Sequence, residues 1–406
     1  MQCPHALSLP TTSIQSGSAA LIASLRKAPV LIFASILAIF VYGMIAAMLG
    51  TILPDLSARF HLTPTQNGTI AFAQALGLMI ASLAVGPLLD TQGDKIGLIL
   101  GLLAIAIALF ALPRSGGYAT IVFLLFLLGV GGGIVVTGAN ALASAASPDH
   151  RATALNLVNL FFGLGGLVTP FVAANLFKNR SNQLCYAIAS FTVIALAVQA
   201  ITPMPPPAGG ATFVLAQAAP MLAQPLLLML GLFLFLYVSC EVGVWNWLPR
   251  HLIAQGIPES RALNILSLGF ALGLLIGRVL VSPILIHVPA VHVLLAASIA
   301  MAVTTFLMLR TNKPITAAAL VFVAGLSMAP VFPTTLAIVG TAFSQRPGTA
   351  IGFAITCGWA GLAVSSRIIG AIAGDNPARL KKALLLIPAS AVLMIGLNLA
   401  IMSSIR

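Results

Sequence analysis

The chain has 406 residues, of which 60% are hydrophobic and only 6% are charged. Soluble domains carry roughly 25% charged residues, so this composition excludes a soluble protein. The net charge of +12 does not indicate a nucleic-acid-binding protein, because the 19 Lys and Arg residues are scattered singly between apolar stretches. Scattered cations of this kind are typical of helix ends that lie at lipid headgroups.

The N-terminal segment, 1–28, contains Ser, Thr and Pro and ends in Arg26 and Lys27, just before the first apolar stretch. This order differs from that of a cleaved signal peptide, and it predicts a short disordered tail. Beyond it, apolar stretches of about 20 residues recur, each long enough to cross the hydrocarbon core as a helix. Twelve spans are predicted, at 30–53, 67–89, 96–113, 118–146, 153–177, 184–203, 225–248, 262–286, 289–309, 315–341, 348–373 and 383–404.

One long connection, 204–224, separates the sixth predicted span from the seventh. It is rich in Pro, Gly and Ala and has no charge, so we interpret it as a linker between a first half, 29–203, and a second half, 225–406. The halves repeat: "RATALNLVNLFFGLGGL" from Arg151 resembles "RPGTAIGFAITCGWAGL" from Arg346, 195 residues later. Six spans restore the chain direction, so the sequence predicts an all-α membrane protein of two parallel six-helix repeats.

The loop between the second and third spans reads "GPLLDTQGDKIG" and resembles the loop signature of the major facilitator superfamily. Asp94 stands at a position that is usually basic. The resemblance implies the twelve-helix major facilitator fold, a cytoplasmic position for this loop, and an Asp90 that caps a helix start and pairs with a cation. The residues assigned to this conformational signature, with its mirror in the second half, are Gly86, Asp90, Gly93, Lys95 and Arg278.

Within that superfamily, three stretches resemble the fucose permease family of sugar symporters. They are "GANALASAASPDHRATALNLVNLFFGLGGLVTP" at 138–170, "FLYVSCEVGVWNWLP" at 235–249 and "SMAPVFPTTLAIVG" at 327–340. The resemblance implies transport of a monosaccharide. That family has proton-carrying acids in its first and fourth spans, where this chain has Ala47 and Val136. Its coupling mechanism therefore does not transfer directly.

Glu241 lies inside the seventh predicted span, whereas the other six acidic residues fall at or near span ends. A carboxylate within a span costs about 2.5–3.5 kcal/mol on insertion scales, so it usually faces a cavity or a partner. Its repeat counterpart is Ala46, so the first half does not duplicate it. Two roles stay open: Glu241 serves transport, by proton exchange or by binding substrate hydroxyls, or it forms a structural charge pair with Arg367 of the eleventh span.

Further polar residues in the predicted spans suit a neutral polyhydroxylated ligand. An aromatic ring stacks on a sugar ring and an amide bridges adjacent hydroxyls, although buried amides also simply hold helices together. Pro330 and Pro333 predict a break in the tenth span, either lining a site or forming a simple kink. The candidate substrate-binding residues are Glu241, Trp245, Asn246, Asn140, Asn159, Asn156, Gln74, Thr334 and Thr335.

These features predict a secondary transporter of a small polar solute, a monosaccharide first, with H⁺ or Na⁺ as candidate coupling ions. The alternatives are an organic-anion carrier that uses an unpaired Arg367, a drug or metabolite efflux antiporter, and a lipid flippase or non-transporting membrane sensor. An antiporter is less favoured, because the fifth span has Pro170 without the Gly-Pro pair usual in that group. No catalytic constellation or metal-ligand spacing is present, so we expect neither an enzyme nor a cofactor or metal site.

The predicted partners are the solute, the coupling ion and the bilayer, with no nucleic acid and a monomeric chain. The predicted location is the plasma or inner membrane with both termini cytoplasmic. Lys and Arg residues are more numerous in the loops that this orientation places outside, which opposes the positive-inside rule. We keep this orientation as the prediction because of the loop signature that begins at Gly86.

Overall fold

A computed structural model describes residues 12–177, 180–207, 215–374 and 377–405. Within these ranges the chain is helical and contains no strand. Twelve helical spans are long and apolar enough to cross a membrane, so the protein is an integral, multi-pass membrane protein. We number these spans 1 to 12 in chain order.

The first half contains spans 1 to 6, joined by short connections. Span 3 ends in one 3₁₀ turn, Leu112–Arg114. The helices of spans 1 to 6 are Thr12–Phe60, Pro64–Gln92, Asp94–Ala111, Tyr118–Ala146, Arg151–Asn175 and Ser181–Ile201.

The second half contains spans 7 to 12, three of which are interrupted. Span 8 is a short helix, a π-helical segment and a longer helix; spans 10 and 12 are each two helices. The segments of spans 7 to 12 are Pro225–Ala254; Glu259–Asn264, Ile265–Ala271 and Leu272–His287; Ala290–Met308; Pro314–Met328 and Val331–Ala342; Pro347–Ala373; and Pro377–Leu384 and Leu386–Ile405.

The break that the sequence predicts in span 10 is present, between Met328 and Val331. Pro330 and Pro333 account for it, because each removes a backbone donor and crowds the preceding turn. The predicted tail and linker differ from expectation where the structure describes them. The helix of span 1 starts at Thr12, since the stretch that follows is rich in the helix formers Ala and Leu, and the linker contains a helix, Leu215–Leu222. Residues 1–11 and 208–214 lie outside the described ranges.

The helices of the two halves pack in the same pattern. In the first half span 1 packs against spans 5 and 6, span 2 against span 4, and span 3 against spans 4 and 6. The second half repeats each of these pairs six spans later: 7 with 11 and 12, 8 with 10, and 9 with 10 and 12. The packing thus follows the internal repeat of the sequence.

Glycines in spans 5 and 11 let these helices approach spans 1 and 7 closely. A methyl group added at Gly165 in span 5 would lie 2.4 Å from the carbonyl oxygen of Phe40 in span 1. One added at Gly361 in span 11 would lie 2.2 Å from the carbonyl oxygen of Phe235 in span 7. Such distances leave no room for any side chain, as in the small-residue interfaces of other membrane helices.

The halves contact each other through spans 2 and 11, spans 5 and 8, spans 5 and 10, and spans 4 and 11. All described hydrogen bonds between the halves lie between the middle of the bundle and the end that carries the 86–97 loop. We call this end the closed end. At the opposite end, the described residues include no hydrogen bond between the halves, and we call it the open end.

Candidate functional site

Glu241 lies in the middle of span 7 and is half-buried. Tyr237 precedes it by one helical turn and Trp245 follows it by one turn, so all three side chains share one face of the helix. The Tyr237 hydroxyl and the Trp245 ring are close to the carboxylate. The hydroxyl of Tyr237 is buried and forms no hydrogen bond of good geometry with any described residue.

The cation that acts on Glu241 is Arg278 of span 8. Arg278 is only 4% exposed. Its guanidinium donates a hydrogen bond to the backbone carbonyl of Asn159 in span 5, across the boundary between the halves. The Nε–H of Arg278 is buried and has no hydrogen-bond partner among the described residues. Arg278 is therefore a buried cation whose charge acts on Glu241 at mid-membrane, with no direct ion-pair contact between these two described side chains and with one donor left unused.

Arg278, which the sequence analysis assigns to the mirror of the loop signature, lies inside span 8, within the predicted span 262–286. The reason is visible in the sequence, since "VLVSPILI" after Arg278 is apolar and continues the helix to His287. The predicted Glu241–Arg367 pair is not formed between these described residues either. Arg367 is exposed in span 11, and the cation whose charge acts on Glu241 is Arg278 instead.

A tyrosine from the first half also acts electrostatically on Glu241. This residue, Tyr42 of span 1, is 4% exposed and stacks on Phe162 of span 5, with ring centroids 5.2 Å apart. Tyr42 and Tyr237 are 195 residues apart and thus occupy equivalent positions in the repeat. Because equivalent residues of both halves act electrostatically on one carboxylate, Glu241 lies near the boundary between the halves.

The predicted amides are used to connect helices. Asn159 donates to the side-chain oxygen of Asn140 at 2.7 Å, which joins spans 5 and 4. Asn156 donates to the Thr334 hydroxyl at 3.0 Å, which joins span 5 to span 10 of the other half. Thr335 donates to the carbonyl of Val331 in its own helix. Asn140, Asn156, Thr334 and Thr335 are all buried, and among these bonds the one from Asn156 to Thr334 joins the two halves.

Three of the predicted residues lie nearer the open end. Trp245 is 36% exposed and packs edge-on against Phe270 of span 8, with ring centroids 5.3 Å apart. Asn246 is exposed and donates to the Ser366 hydroxyl at 3.5 Å, which links spans 7 and 11. Gln74 is half-buried in span 2. The structure therefore brings Glu241 and Trp245 together with Asn159, through Arg278, and leaves Asn246 and Gln74 outside that group.

Arg367 lies on the open-end side of Thr356, on the face of span 11 that points toward the first half. Thr356, in the same helix, donates to the carbonyl of Met79 in span 2, so this face of span 11 points toward the first half. Arg367 follows Thr356 by eleven residues, which is about three turns, or ~16 Å, along the same face. Beyond Thr356 no described hydrogen bond joins the halves, and Arg367 is exposed.

Asp90 holds the closed end together. It is 3% exposed and accepts hydrogen bonds from the backbone N–H groups of Gly348 and Thr349, each at 2.8 Å, and from the Thr349 hydroxyl at 2.5 Å. These groups lie in the first turn of span 11, whose free N–H groups and dipole favour a carboxylate. Gly86 allows this approach, because a methyl group there would lie 2.6 Å from the Thr349 Cα.

Two other members of the loop signature shape the connection from span 2 to span 3. Gly93 ends span 2 with a φ of 88°, a conformation that side chains other than hydrogen disfavour. Lys95 donates from Nζ to the carbonyl of Thr202 at 3.2 Å, within the first half. Together they fix the loop so that Asp90 reaches span 11.

Sequence reasoning missed the two tyrosines. A signal for them existed, because the chain has only 4 Tyr and two of these stand 195 residues apart within spans, one of them a turn before Glu241. It also missed Phe162 and Phe270, the rings that pack against Tyr42 and Trp245. No single-residue signal distinguishes these rings among the 21 Phe of the chain.

Comparison with known proteins agrees with this architecture. The model of the Major Facilitator Superfamily matches residues 35–366. The glucose/mannose transporter GlcP of Bacillus subtilis is 25% identical over 353 residues, which cover 82% of this chain and 85% of GlcP.

Two solved structures share the fold. A structure of the E. coli fucose:proton symporter FucP has a TM-score of 0.81 and 17% identity, covering 92% of this chain and 99% of that one. The human organic anion transporter MFSD10 has a TM-score of 0.72 and 14% identity, covering 92% and 99%. Because these two proteins transport different kinds of solute, the shared fold does not select a substrate. The match to the family model over most of the chain and the twelve-span architecture together establish that this chain belongs to the Major Facilitator Superfamily and is a membrane transporter.

Proposed function

We propose that this protein carries a monosaccharide across the membrane by alternating access, with the substrate bound between the halves on the open-end side of Glu241. The observation that carries the proposal is the arrangement around Glu241. One carboxylate at mid-membrane is acted on electrostatically by Tyr42 of the first half, and Tyr237 and Trp245 of the second half lie one helical turn on either side of it. Hydroxyl-bearing aromatic rings and a carboxylate are suited to a neutral ligand with many hydroxyl groups.

The position of this group supports alternating access. A ligand that contacts Tyr42 and Trp245 at once contacts both halves, so its binding free energy depends on how the halves are arranged. A ligand shifts a conformational equilibrium only to the extent of such a difference in affinity. Rocking of the two halves around a central site is the usual mechanism of proteins with this parallel repeat.

We further propose that Glu241 couples transport to an ion, with H⁺ as the first candidate and Na⁺ as the second. The support is that Glu241 is the acidic residue in the middle of a span, where a carboxylate is costly and usually functional. Ala47 and Val136 occupy the positions where the fucose permease pattern has its acids, so coupling in this chain needs a different carboxylate.

Uptake into proteoliposomes tests these proposals. The purified full-length chain would be supplied with a panel of labelled sugars, with an inward proton gradient, an inward sodium gradient or neither. We expect saturable uptake of one monosaccharide class, stimulated by one of the gradients. The Glu241→Gln variant should lose the stimulation, whereas Glu259→Gln, a change at an exposed residue at the start of span 8, should keep it.

Uptake of no sugar under any gradient would refute the monosaccharide proposal. Equal gradient stimulation in Glu241→Gln and the native chain would refute the coupling role of Glu241, while leaving the substrate assignment in place.

Arg367 supports a second candidate, an organic-anion carrier. Its guanidinium is exposed on the face of span 11 that points toward the first half, where a carboxylate-bearing solute entering from the open end would meet it. Labelled benzoate-type and dicarboxylate anions in the same liposomes separate the candidates. Anion uptake that is lost in Arg367→Gln and unaffected by sugars would favour this candidate.

We also propose that the chain works as a monomer in the plasma or inner membrane, with both termini and the closed end on the cytoplasmic side. The loop that begins at Gly86 supports this orientation by its resemblance to the superfamily signature. The distribution of Lys and Arg opposes it, and thiol labelling of the two ends in intact cells decides between the two orientations.

A further inference from the structure

We infer that Arg278 is a positioning residue that ties the charge of Glu241 to the closed contact between the two halves. The inference rests on the proposed site around Glu241 and adds Arg278 to it. The stability of the contact between Arg278 and the first half would depend on whether Glu241 is negatively charged. Substrate identity does not enter, so the test below uses no substrate and can fail independently of the monosaccharide proposal.

The first support is that Arg278 connects the two halves directly. It belongs to the second half, yet its guanidinium donates to the backbone carbonyl of Asn159 in the first half. A methyl group added at Gly163, one turn further along span 5, would lie 3.6 Å from the same guanidinium nitrogen. Arg278 therefore lies against the backbone of span 5 in a space that a glycine leaves open.

The second support is the charge arrangement. Arg278 is almost fully buried, and a buried cation is stable only with a counter-charge and hydrogen-bond acceptors. Glu241 is the carboxylate that acts on it. The other groups that act on Glu241 carry no positive charge: they are Tyr42 of span 1 and, from span 7 itself, Tyr237 and Trp245.

The third support is the position of the Arg278–Asn159 hydrogen bond among the other contacts between the halves. The hydrogen bond from the Arg278 guanidinium to Asn159 lies in the middle of the bundle. It is further from the closed end than the bond from Asn156 to Thr334. Since Asn159 also donates to Asn140, Arg278 is joined to spans 4 and 5 at once. The Arg278 Nε–H has no described partner, so the contact has one unsatisfied donor that water would satisfy if the halves separated.

The consequence has a definite direction. When Glu241 loses its negative charge, Arg278 becomes a buried cation without a counter-charge, and the state in which it is buried loses stability. Separation of spans 5 and 8 exposes Arg278 to water and removes this penalty. Neutralising Glu241 therefore favours opening of the closed end.

Double electron–electron resonance on the full-length chain in nanodiscs tests this. Spin labels are placed at Gln92→Cys and Gln345→Cys, two exposed positions in opposite halves at the closed end, after replacement of the native cysteines. The distance distribution gives the ratio of open to closed populations. The variants are Glu241→Gln, Arg278→Gln, Arg278→Lys and the Glu241→Gln/Arg278→Gln double variant, with Arg261→Gln as a matched control at an exposed arginine of the same span.

We expect Glu241→Gln to raise the open-to-closed ratio on the order of tenfold or more, as loss of the partner of a buried charge predicts. Arg278→Gln should also raise the open-to-closed ratio. Arg278→Lys keeps the charge and should raise the ratio less. The double variant should lie closer to the native ratio than the two single effects combined, because paired residues are not additive. Arg261→Gln should leave the ratio unchanged.

The inference is overturned if Glu241→Gln leaves the ratio within twofold of the native value, or if the two single effects simply add. Should Arg278→Gln fail to fold, Arg278→Lys and Glu241→Gln still decide the question, since an unchanged ratio in the latter alone contradicts the charge argument. Equal opening in Arg261→Gln would show that the loss of any arginine from span 8 has this effect, which also overturns it.

Discussion

Replacing Asp90 by Asn should loosen the closed end of the bundle. Asp90 accepts three hydrogen bonds from Gly348 and Thr349 across the boundary between the halves, two of them from the free N–H groups of a helix start. The asparagine keeps one acceptor oxygen and turns the other into an NH₂ group, which cannot accept. One backbone bond is therefore lost and another loses its charge assistance.

The size of the effect follows from these bonds. A hydrogen bond to a charged group contributes about 1.5–3 kcal/mol and a neutral one about 0.5–1.5 kcal/mol, so the substitution removes about 3 kcal/mol of contact. Burial of the carboxylate has a desolvation cost that the amide largely avoids, which offsets part of this loss. A net change of about 2 kcal/mol remains, equal to about a 30-fold rise in the open-to-closed ratio.

The assay is the reaction rate of a cysteine that the closed end buries. Ser144 is 2% exposed and lies against Gly340 of span 10, so Ser144→Cys in a background without native cysteines reacts only when this end opens. In detergent, where a water-soluble thiol reagent reaches both ends, Asp90→Asn should raise the rate about 30-fold.

The matched control is Asp94→Asn, which changes a carboxylate of the same loop whose described contacts include no hydrogen bond to the second half. A rate within twofold of the native value in Asp90→Asn, or an equal rise in Asp94→Asn, would refute the reasoning. An unchanged rate in Asp90→Asn would mean that the bonds to span 11 do not stabilise the closed state. An equal rise in Asp94→Asn would mean that the closed state is stabilised by the negative charge of the loop in general.

Three further outcomes are expected. Gly361→Leu should lower the thermal unfolding temperature of the purified chain by several degrees, because spans 7 and 11 cannot approach; Gly396→Leu, at a glycine with open space around it, is the control. Tyr42→Phe should weaken sugar uptake about tenfold if its hydroxyl contacts the ligand, as expected for about one lost hydrogen bond, and unchanged uptake would place it outside the site. Thiol labelling in intact cells should reach Lys382→Cys and not Gln92→Cys; the reverse pattern would invert the proposed orientation.

The architecture could be predicted from the sequence because the membrane leaves few options. A chain with 6% charged residues must form helices across the bilayer, and a repeat at 195 residues divides them into two halves. The break in span 10 was also predictable, since Pro330 and Pro333 act on their own helix. These properties depend on local chemistry or on a regular spacing, and both are visible in one sequence.

The partners in the site could not be predicted in the same way. Glu241 was identifiable as an unusual residue, but two arginines, Arg278 and Arg367, lay within predicted spans or at their ends. Which of them acts on the carboxylate depends on the rotation of spans 8 and 11 about their own axes, and a helix that is apolar on all sides does not indicate that rotation. The amides illustrate the same limit, because Asn156 bonds to Thr334 only once span 5 is placed against span 10.

Most hydrogen bonds between the halves have a backbone group as one partner: Arg151 bonds the carbonyl of Gly340, Thr153 that of Ser282, and Arg278 that of Asn159. A backbone partner is present whatever residue occupies its position. Each of these contacts can therefore be gained or lost by one substitution, without a matching change in the other half. The balance between the two conformations is accordingly open to stepwise adjustment during evolution, while the side chains around Glu241 stay the same.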